Sequence, residues 1–156
     1  MKYIKLLFFI FISIFLQSCS FDSARYINFE ESPSSNYYAE KIKEHLSNDS
    51  NYTLDVFDTN LYKYFKVDDE DLDVLKNFVN NLSEEDFLDE FTFENKEKFR
   101  VIINFSDEKY IIKVYDKDTC TITPWDGNYS EDIVDMSNLP THFNLYDFCN
   151  YVQHKK

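Results

Sequence analysis

Glycine is almost absent from this chain, and its scarcity excludes several nucleotide-binding designs. The 156 residues include one glycine, Gly127, and three prolines. A phosphate-binding loop of the P-loop or GxGxxG type needs several glycines in a short stretch, because its backbone must approach the phosphates closely. A serine nucleophile on a sharp strand-to-helix turn is flanked by glycines as well. The sequence contains neither motif, so we assign no catalytic residues and expect no cofactor.

Basic residues are also scarce. The chain has 16 Lys and Arg against 29 Asp and Glu, which gives a formal net charge of −13 at pH 7. The cations are interleaved with acids and form no basic stripe. Because proteins bind nucleic acids largely through clustered Lys and Arg on the phosphates, we expect no nucleic-acid partner.

Residues that commonly bind transition metals are few and scattered. The chain has three cysteines and three histidines, and none stands at the spacing of zinc ligands. Asp126 and Asn128 imitate the opening of an EF-hand calcium loop, but Glu131 occupies the position where that loop requires glycine. No metal site is therefore predicted.

Long hydrophobic runs are lacking beyond the N-terminus. Leu6 to Leu16 is an almost unbroken apolar stretch of 11 residues that follows Lys2 and Lys5. A membrane-spanning helix needs about 20 apolar residues, whereas about 7 to 15 are typical of the hydrophobic region of a secretory signal. The stretch is therefore predicted to be a cleaved export signal.

The end of this signal resembles a bacterial lipobox, in which an aliphatic residue, a tolerant position and a small residue precede a cysteine. Leu16, Gln17, Ser18 and Cys19 fill these four positions. The resemblance implies that a diacylglyceryl group is attached to Cys19, as in the small uncharacterised lipoproteins of low-GC Gram-positive bacteria. Two acyl chains anchor a protein stably. We therefore expect a lipoprotein at the extracytoplasmic face of the cell membrane, in contact with the bilayer through its lipid.

The expected processing divides the chain into three parts. Residues 1–18 are the signal peptide, and residues 19–36 form the lipidated N-terminus with a spacer of little periodicity. Residues 37–156 have the size and the aromatic content of a single globular domain.

Two cysteines remain in the mature region, Cys120 and Cys149. A disulfide between them is permitted outside the cytoplasm, and it would contribute about 3–4 kcal/mol by closing a loop of about 30 residues. The alternative is a pair of small buried thiols. The sequence leaves both alternatives open.

Hydrophobic periodicity predicts an α+β fold. Strand-like alternation separated by polar reversals marks three runs: 99–105, 110–115 and 119–123. Shorter strand-like segments lie at 54–56 and 61–67. Helical spacing or a cap-like start marks four segments: 38–46, 72–82, 83–91 and one that begins at Asn144. Helices before and after the strands favour an antiparallel meander of about three to five strands, packed against two to four helices.

The only tryptophan and the only glycine lie close together, directly after the third predicted strand. Aromatic rings there could stack on a sugar or a peptide, and carboxylates could fix its polar groups. Trp125, Asp126 and Tyr129 are therefore candidate ligand-binding residues. The alternative is a turn that needs Gly127 for a positive φ angle, with Trp125 folded back into the core.

These features together predict a lipid-anchored extracytoplasmic binding or interaction module, whose ligand is a cell-envelope component or a protein. One alternative is a surface hydrolase or a metal-assisted enzyme. Another is an inhibitor or immunity-type lipoprotein that binds a basic partner. The histidines do not favour catalysis, because His45, His142 and His154 are scattered and His45 is expected on a helix surface.

Overall fold

Antiparallel strands form the framework of the molecule, and three α-helices pack against them. The computed structural model describes residues 32–48 and 51–155. The helices are α1 (Tyr37–Ser47), α2 (Asp73–Asn80) and α3 (Leu145–His154). The strands are β1 (Thr53–Asp58), β2 (Lys63–Lys66), β3 (Phe87–Leu88), β4 (Phe99–Asn104), β5 (Lys109–Val114), β6 (Thr119–Pro124) and β7 (Asp132–Asp135). The fold is α+β, as the sequence predicts.

All seven strands belong to one antiparallel sheet in the order β2-β1-β4-β5-β6-β7-β3. Strands β4 to β7 follow one another as a meander, and the three strands predicted from alternation are its first three members. Strand β1 joins the meander beside β4, so that the short strands β2 and β3 form the two margins.

The core lies on one face of this sheet. Val56, Val101, Ile112 and Ile122 are aligned across four neighbouring strands, and each is at most 1 % exposed. Each helix adds buried residues to the same cluster: Tyr38, Ala39 and Ile42 from α1, Leu75, Phe78 and Val79 from α2, and Leu145, Cys149 and Val152 from α3. Because alternate strand residues point to opposite faces, the three helices all cover the face that carries this aligned row.

The expectation of three to five strands was wrong, because tertiary pairing adds short strands at one side of the meander. Strand β7 has two apolar residues, and β3 consists of Phe87 and Leu88, which pair with Val134 and Ile133 of β7. Neither segment is long enough for alternation to reveal it. The sheet itself supplies the hydrogen-bonding partner that makes these residues extended.

The short helix expected at 83–91 was also wrong. Ser83 and Asp86 do form a capping box, in which the Asp86 carboxylate accepts the Ser83 backbone N–H at 2.8 Å. The helical turn that follows covers only Glu84–Asp86, and the chain then enters β3. The sequence therefore predicts the capped start of a helical turn correctly. Pairing with β7 makes the following residues extended instead of helical.

The expected signal peptide and Cys19 lie outside the described residues, as does the spacer up to residue 31. Residues 32–36 lead through bends and turns into α1. Across residues 32–48 and 51–155, no helix has the length and apolar character that crossing a bilayer requires.

Candidate functional site

The connection between β6 and β7 carries the three residues that the sequence singles out. Trp125 and Asp126 are exposed, and the Trp125 side chain is accessible over 59 % of its surface, so it is not a plug of the core. The ammonium of Lys109 lies 4.3 Å from the centre of its ring. An exposed indole that already accepts a cation on its face is suited to contact a ligand.

Tyr129, the third candidate, is held against the start of α1. The Tyr38 hydroxyl accepts the Tyr129 backbone N–H at 2.9 Å and donates to the Tyr129 carbonyl at 3.2 Å. Burial raises the pKa of Tyr38, so its hydroxyl keeps the proton that it donates. The Tyr37 ring meets the rings of both Tyr38 and Tyr129 edge to face at 5.2 Å. These three tyrosines form a wall, here called the tyrosine wall.

Gly127 is required by close packing. A Cβ atom at this position would lie 3.0 Å from Cγ of Pro124 and 3.0 Å from the Tyr38 hydroxyl. No positive φ occurs at Gly127, so the expectation of a left-handed turn there was wrong. The single glycine of the chain therefore allows the loop to approach α1.

A cleft of about 490 Å³ separates α1 from the β4–β5 turn and from the loop after β6. We call it the α1 cleft. Its walls carry aromatic and ionisable side chains, including Tyr37, Glu44, His45, Asp107, Glu108 and Asp126. Trp125 lines a neighbouring hollow of about 440 Å³, and Asp107, Glu108 and Asp126 line both hollows. The candidate residues thus surround a shared group of carboxylates.

His45 lies inside this site and connects α1 to the β4–β5 turn. Its Nε2 atom is 3.1 Å from a Glu108 oxygen, and its Nδ1 atom is 3.9 Å from an Asp107 oxygen. The imidazole stacks on Phe105 with ring centres 4.6 Å apart. The same Glu108 oxygen accepts the Tyr110 hydroxyl at 2.7 Å. Burial raises the pKa of Tyr110, and its hydrogen bond to Glu108 acts in the same direction.

The expectation of His45 on a helix surface missed this arrangement, although a signal existed. Tyr38, Ile42 and His45 follow one another at spacings of four and three, which places them on one face of a helix. His45 side-chain exposure is 18 %. Its carboxylate partners stand more than 60 positions further along the chain, so only the folded structure brings them together.

The chemistry available in the α1 cleft is acid–base and electrostatic. An imidazole beside a carboxylate can act as a general base, and several carboxylates can bind polar or cationic groups. None of the described residues that line the cleft is serine, threonine or cysteine.

A buried carboxyl group lies under the first turn of α1. Asp132, which is 1 % exposed, accepts the Ala39 backbone N–H at 2.8 Å. Its other oxygen has no hydrogen-bond partner in the part of the chain that the structure describes. Burial raises the pKa of Asp132 to about 7, against an ordinary value of 3.8. This residue links β7 to α1 and is not among the residues that line the cleft.

One group of three carboxylates could hold a metal ion among the described residues, and it lies elsewhere. Asp68, Glu70 and Asp71 place their oxygens within 4.8 Å of one another. The Lys155 ammonium contacts all three at 2.7 to 2.8 Å. These contacts raise the pKa of Lys155, so a cation from the chain itself already neutralises this group.

Cys120 and Cys149 are both buried, and the structure holds them as free thiols. Burial raises the pKa of each thiol, so neither is a reactive nucleophile. A disulfide between them stays one of the two alternatives that the sequence allows.

Comparisons with known proteins relate the chain to one solved structure and to one domain family. It is similar to a protein whose structure is described as "Crystal Structure of Putative Lipoprotein from Clostridium perfringens", with 31% sequence identity and a TM-score of 0.73. The similarity covers 80% of this chain and 99% of that one. No curated protein matches significantly. A family described as "Domain of unknown function (DUF4883)" matches residues 32–149, and the chain therefore belongs to this family.

Proposed function

We propose that this protein is a lipid-anchored extracytoplasmic module that binds a polar ligand at the α1 cleft and the adjoining Trp125 hollow. The observation that carries the proposal is the exposure of Trp125 in a hollow that the carboxylates of Asp107, Glu108 and Asp126 also line. Large exposed aromatic rings next to a few polar groups are typical of ligand sites, because rings supply contact area and polar groups supply orientation.

The anchor rests on Cys19 and is supported by the lipoprotein description of the similar Clostridium perfringens protein. A diacylated cysteine would hold the domain at the membrane without help from basic residues, which suits a chain with a net charge of −13. Cys19→Ala should abolish incorporation of radiolabelled fatty acid, and the protein should be mislocalised. Ser20→Ala is the matched control and should leave labelling intact. Full labelling of Cys19→Ala would overturn the anchor.

Ligand binding can be followed directly, because Trp125 is the only tryptophan of the chain. Soluble fragments of a bacterial cell wall should shift its fluorescence to shorter wavelength as the indole loses contact with water. They should also raise the melting temperature, since a ligand bound only by the native state stabilises it. Asp126→Asn and Tyr129→Ala should weaken both responses. Tyr151→Ala, which removes an exposed ring on α3, should leave them unchanged.

Surface hydrolysis is a second candidate, and the contact between His45 and Glu108 favours it. The imidazole would deprotonate a water molecule, with Glu108 orienting the ring. Release of reducing ends or free amines from purified cell wall should then be lost in His45→Gln. It should persist in Lys43→Gln, which alters the same helix at a position that does not line the cleft. Absence of release by the unmodified protein would remove this candidate.

A further inference from the structure

The carboxylates of the α1 cleft are incompletely neutralised by the chain itself. Lys41 pairs with Glu44 at 2.8 Å, and His45 lies between Asp107 and Glu108. Asp126 has no ion-pair partner among the residues that the structure describes. Across the two hollows, Glu44, Asp107, Glu108 and Asp126 stand against Lys41, Lys109 and the imidazole of His45. Even with a protonated imidazole, four negative groups outnumber three positive ones, so the site favours a ligand that brings positive charge.

The rings on both sides of these carboxylates favour the same kind of ligand. The tyrosine wall bounds one side, and Trp125 bounds the other. Aromatic faces attract ammonium groups through the negative potential of their π-systems. The ammonium of Lys109, 4.3 Å from the centre of the Trp125 ring, is an example within the chain itself.

An inorganic cation fits the hollow less well than an organic one. Calcium is bound by six to eight oxygens that converge on one point. Within the described residues, three or more acidic or histidine ligand atoms approach within 4.8 Å only at Asp68, Glu70 and Asp71, where Lys155 already lies. Among the described residues of the cleft, no three acidic or imidazole groups therefore converge on one point. Such a distribution matches a charge carried on a larger organic molecule.

We propose that the ligand of this site carries a protonated amine, held by Asp126 and Glu108 and flanked by the aromatic side chains. This inference rests on the proposed binding function and narrows its ligand to a chemical class. A neutral sugar would gain the aromatic contacts but would leave the excess negative charge uncompensated. The amine can belong to an amino sugar or to a lysine side chain, and the two sources are separated by experiment.

The test uses two pairs of probes that differ only in the charge on nitrogen. One pair is a tetramer of glucosamine and the corresponding tetramer of N-acetylglucosamine. The other pair is trilysine and its Nε-acetylated form. Residues 20–156 are suitable for the measurement. The core of the described residues lies between Tyr38 and Val152, and the crystallised Clostridium perfringens protein aligns over 80% of this chain, so residues 20–156 contain the whole described core.

Trp125 fluorescence reports the binding. At least one amine probe should bind about 10-fold more tightly than its acetylated partner, which corresponds to about 1.4 kcal/mol. The pair of probes that shows this preference identifies whether the amine belongs to an amino sugar or to a lysine side chain. Raising the salt concentration should reduce the preference, because exposed charges are screened. Asp126→Asn should weaken binding of the amine probe about 5- to 10-fold.

The matched control is Glu85→Gln, which removes the same charge from an exposed site at the turn before β3. It should bind the amine probe as the unmodified protein does. An equal loss in Glu85→Gln and Asp126→Asn would indicate attraction to the overall charge of the protein and would overturn the proposal. Equal or tighter binding of the acetylated probes would overturn it while leaving the binding function intact. If the cell-wall fragments alter Trp125 fluorescence and no amine probe does, only the amine inference fails.

Discussion

The Asp132 carboxylate accepts the backbone N–H of Ala39 at 2.8 Å and so ties the last strand of the meander to the first turn of α1. A carboxylate near the N-terminus of a helix is stabilised by the helix dipole. At Asp132, burial is the larger effect, and it raises the pKa to about 7. The residue that positions one wall of the cleft therefore changes its charge near neutral pH.

Asp132 should make the stability of the protein depend on pH. Between its unfolded pKa of 3.8 and its folded pKa of about 7, the native state keeps a proton that the unfolded state has released. The free energy of unfolding should consequently fall as pH rises through this interval and level off above it, by about 4 kcal/mol at most. Urea unfolding at a series of pH values measures this change.

Asp132→Asn should remove most of this pH dependence, since the amide keeps an acceptor for Ala39 and cannot ionise. Asp135→Asn changes a partly exposed carboxylate of the same strand and should leave the pH profile in place. If Asp132→Asn and the unmodified protein gave parallel profiles, the burial argument would be wrong.

Asn144 should be the most important helix cap of the described chain. Its side-chain oxygen accepts the Tyr146 N–H at 3.0 Å and the Asp147 N–H at 3.4 Å, and its amide donates to the Lys117 carbonyl at 2.8 Å. Asn144→Ala should destabilise the protein by about 2 kcal/mol, because capping contacts and a buried hydrogen bond are lost together. Chemical denaturation with a constant m-value is the measurement.

Asn36→Ala provides the comparison, since Asn36 precedes α1 but makes no side-chain capping hydrogen bond with the described residues. Its stability should remain within about 0.5 kcal/mol of the unmodified protein. Equal losses from both substitutions would show that the capping hydrogen bonds of Asn144 contribute little.

Substitution of Tyr62 should increase the stability of the protein. It is 75 % exposed and has a φ angle of 51°, a left-handed conformation that is unfavourable for aromatic residues. Tyr62→Asn should raise the free energy of unfolding by about 0.5 kcal/mol, because asparagine tolerates this conformation better. Thermal and urea unfolding should agree on the sign.

Tyr64→Asn is the paired substitution and should have the opposite effect. Tyr64 lies in β2, and its ring contacts Phe57 of β1 with centres 4.6 Å apart. Loss of this cross-strand pair should cost about 1 kcal/mol. A loss of stability from Tyr62→Asn as large as that from Tyr64→Asn would mean that the left-handed backbone carries no strain.

Cys120 and Cys149 should be inert toward a thiol reagent in the native protein, because both are buried and burial raises their pKa. Labelling of residues 20–156 with Ellman's reagent should report two thiols once the protein is unfolded without reductant. Thiols that appear only after reduction would instead establish the disulfide. Rapid labelling of the native protein would contradict the burial of both residues.

Periodicity predicted those parts of the fold that are locally encoded. Alternation from Phe99 onward identifies three strands of the meander, since every second residue of each strand is buried in the core. It fails for β7, where the inward position of the row beside Ile122 is occupied by Asp132. An acidic residue there breaks the apolar pattern. Its hydrogen bond to α1 and its raised pKa, which keeps the carboxyl group protonated below neutral pH, explain how burial is tolerated.

The candidate site was predictable on one side only. Trp125 and Gly127 can be singled out from the sequence because each is the single residue of its type in the chain. The opposing wall comes from α1, whose His45 meets Glu108 across a separation of 63 positions. No local pattern encodes that contact. The sequence of the loop therefore predicts the aromatic side of the cleft, but it does not predict the His45 imidazole on the opposite wall.

The two edge strands of the sheet affect whether copies of the protein associate at high concentration. A long, flat edge strand invites a neighbour to extend the sheet by hydrogen bonding. At one margin β3 offers only two residues, and at the other β2 begins and ends with lysine. Two like-charged, four-residue edges repel each other as they approach. This geometry opposes fibre-like growth, so a dense population of the protein can stay dispersed and keep its clefts open to solvent.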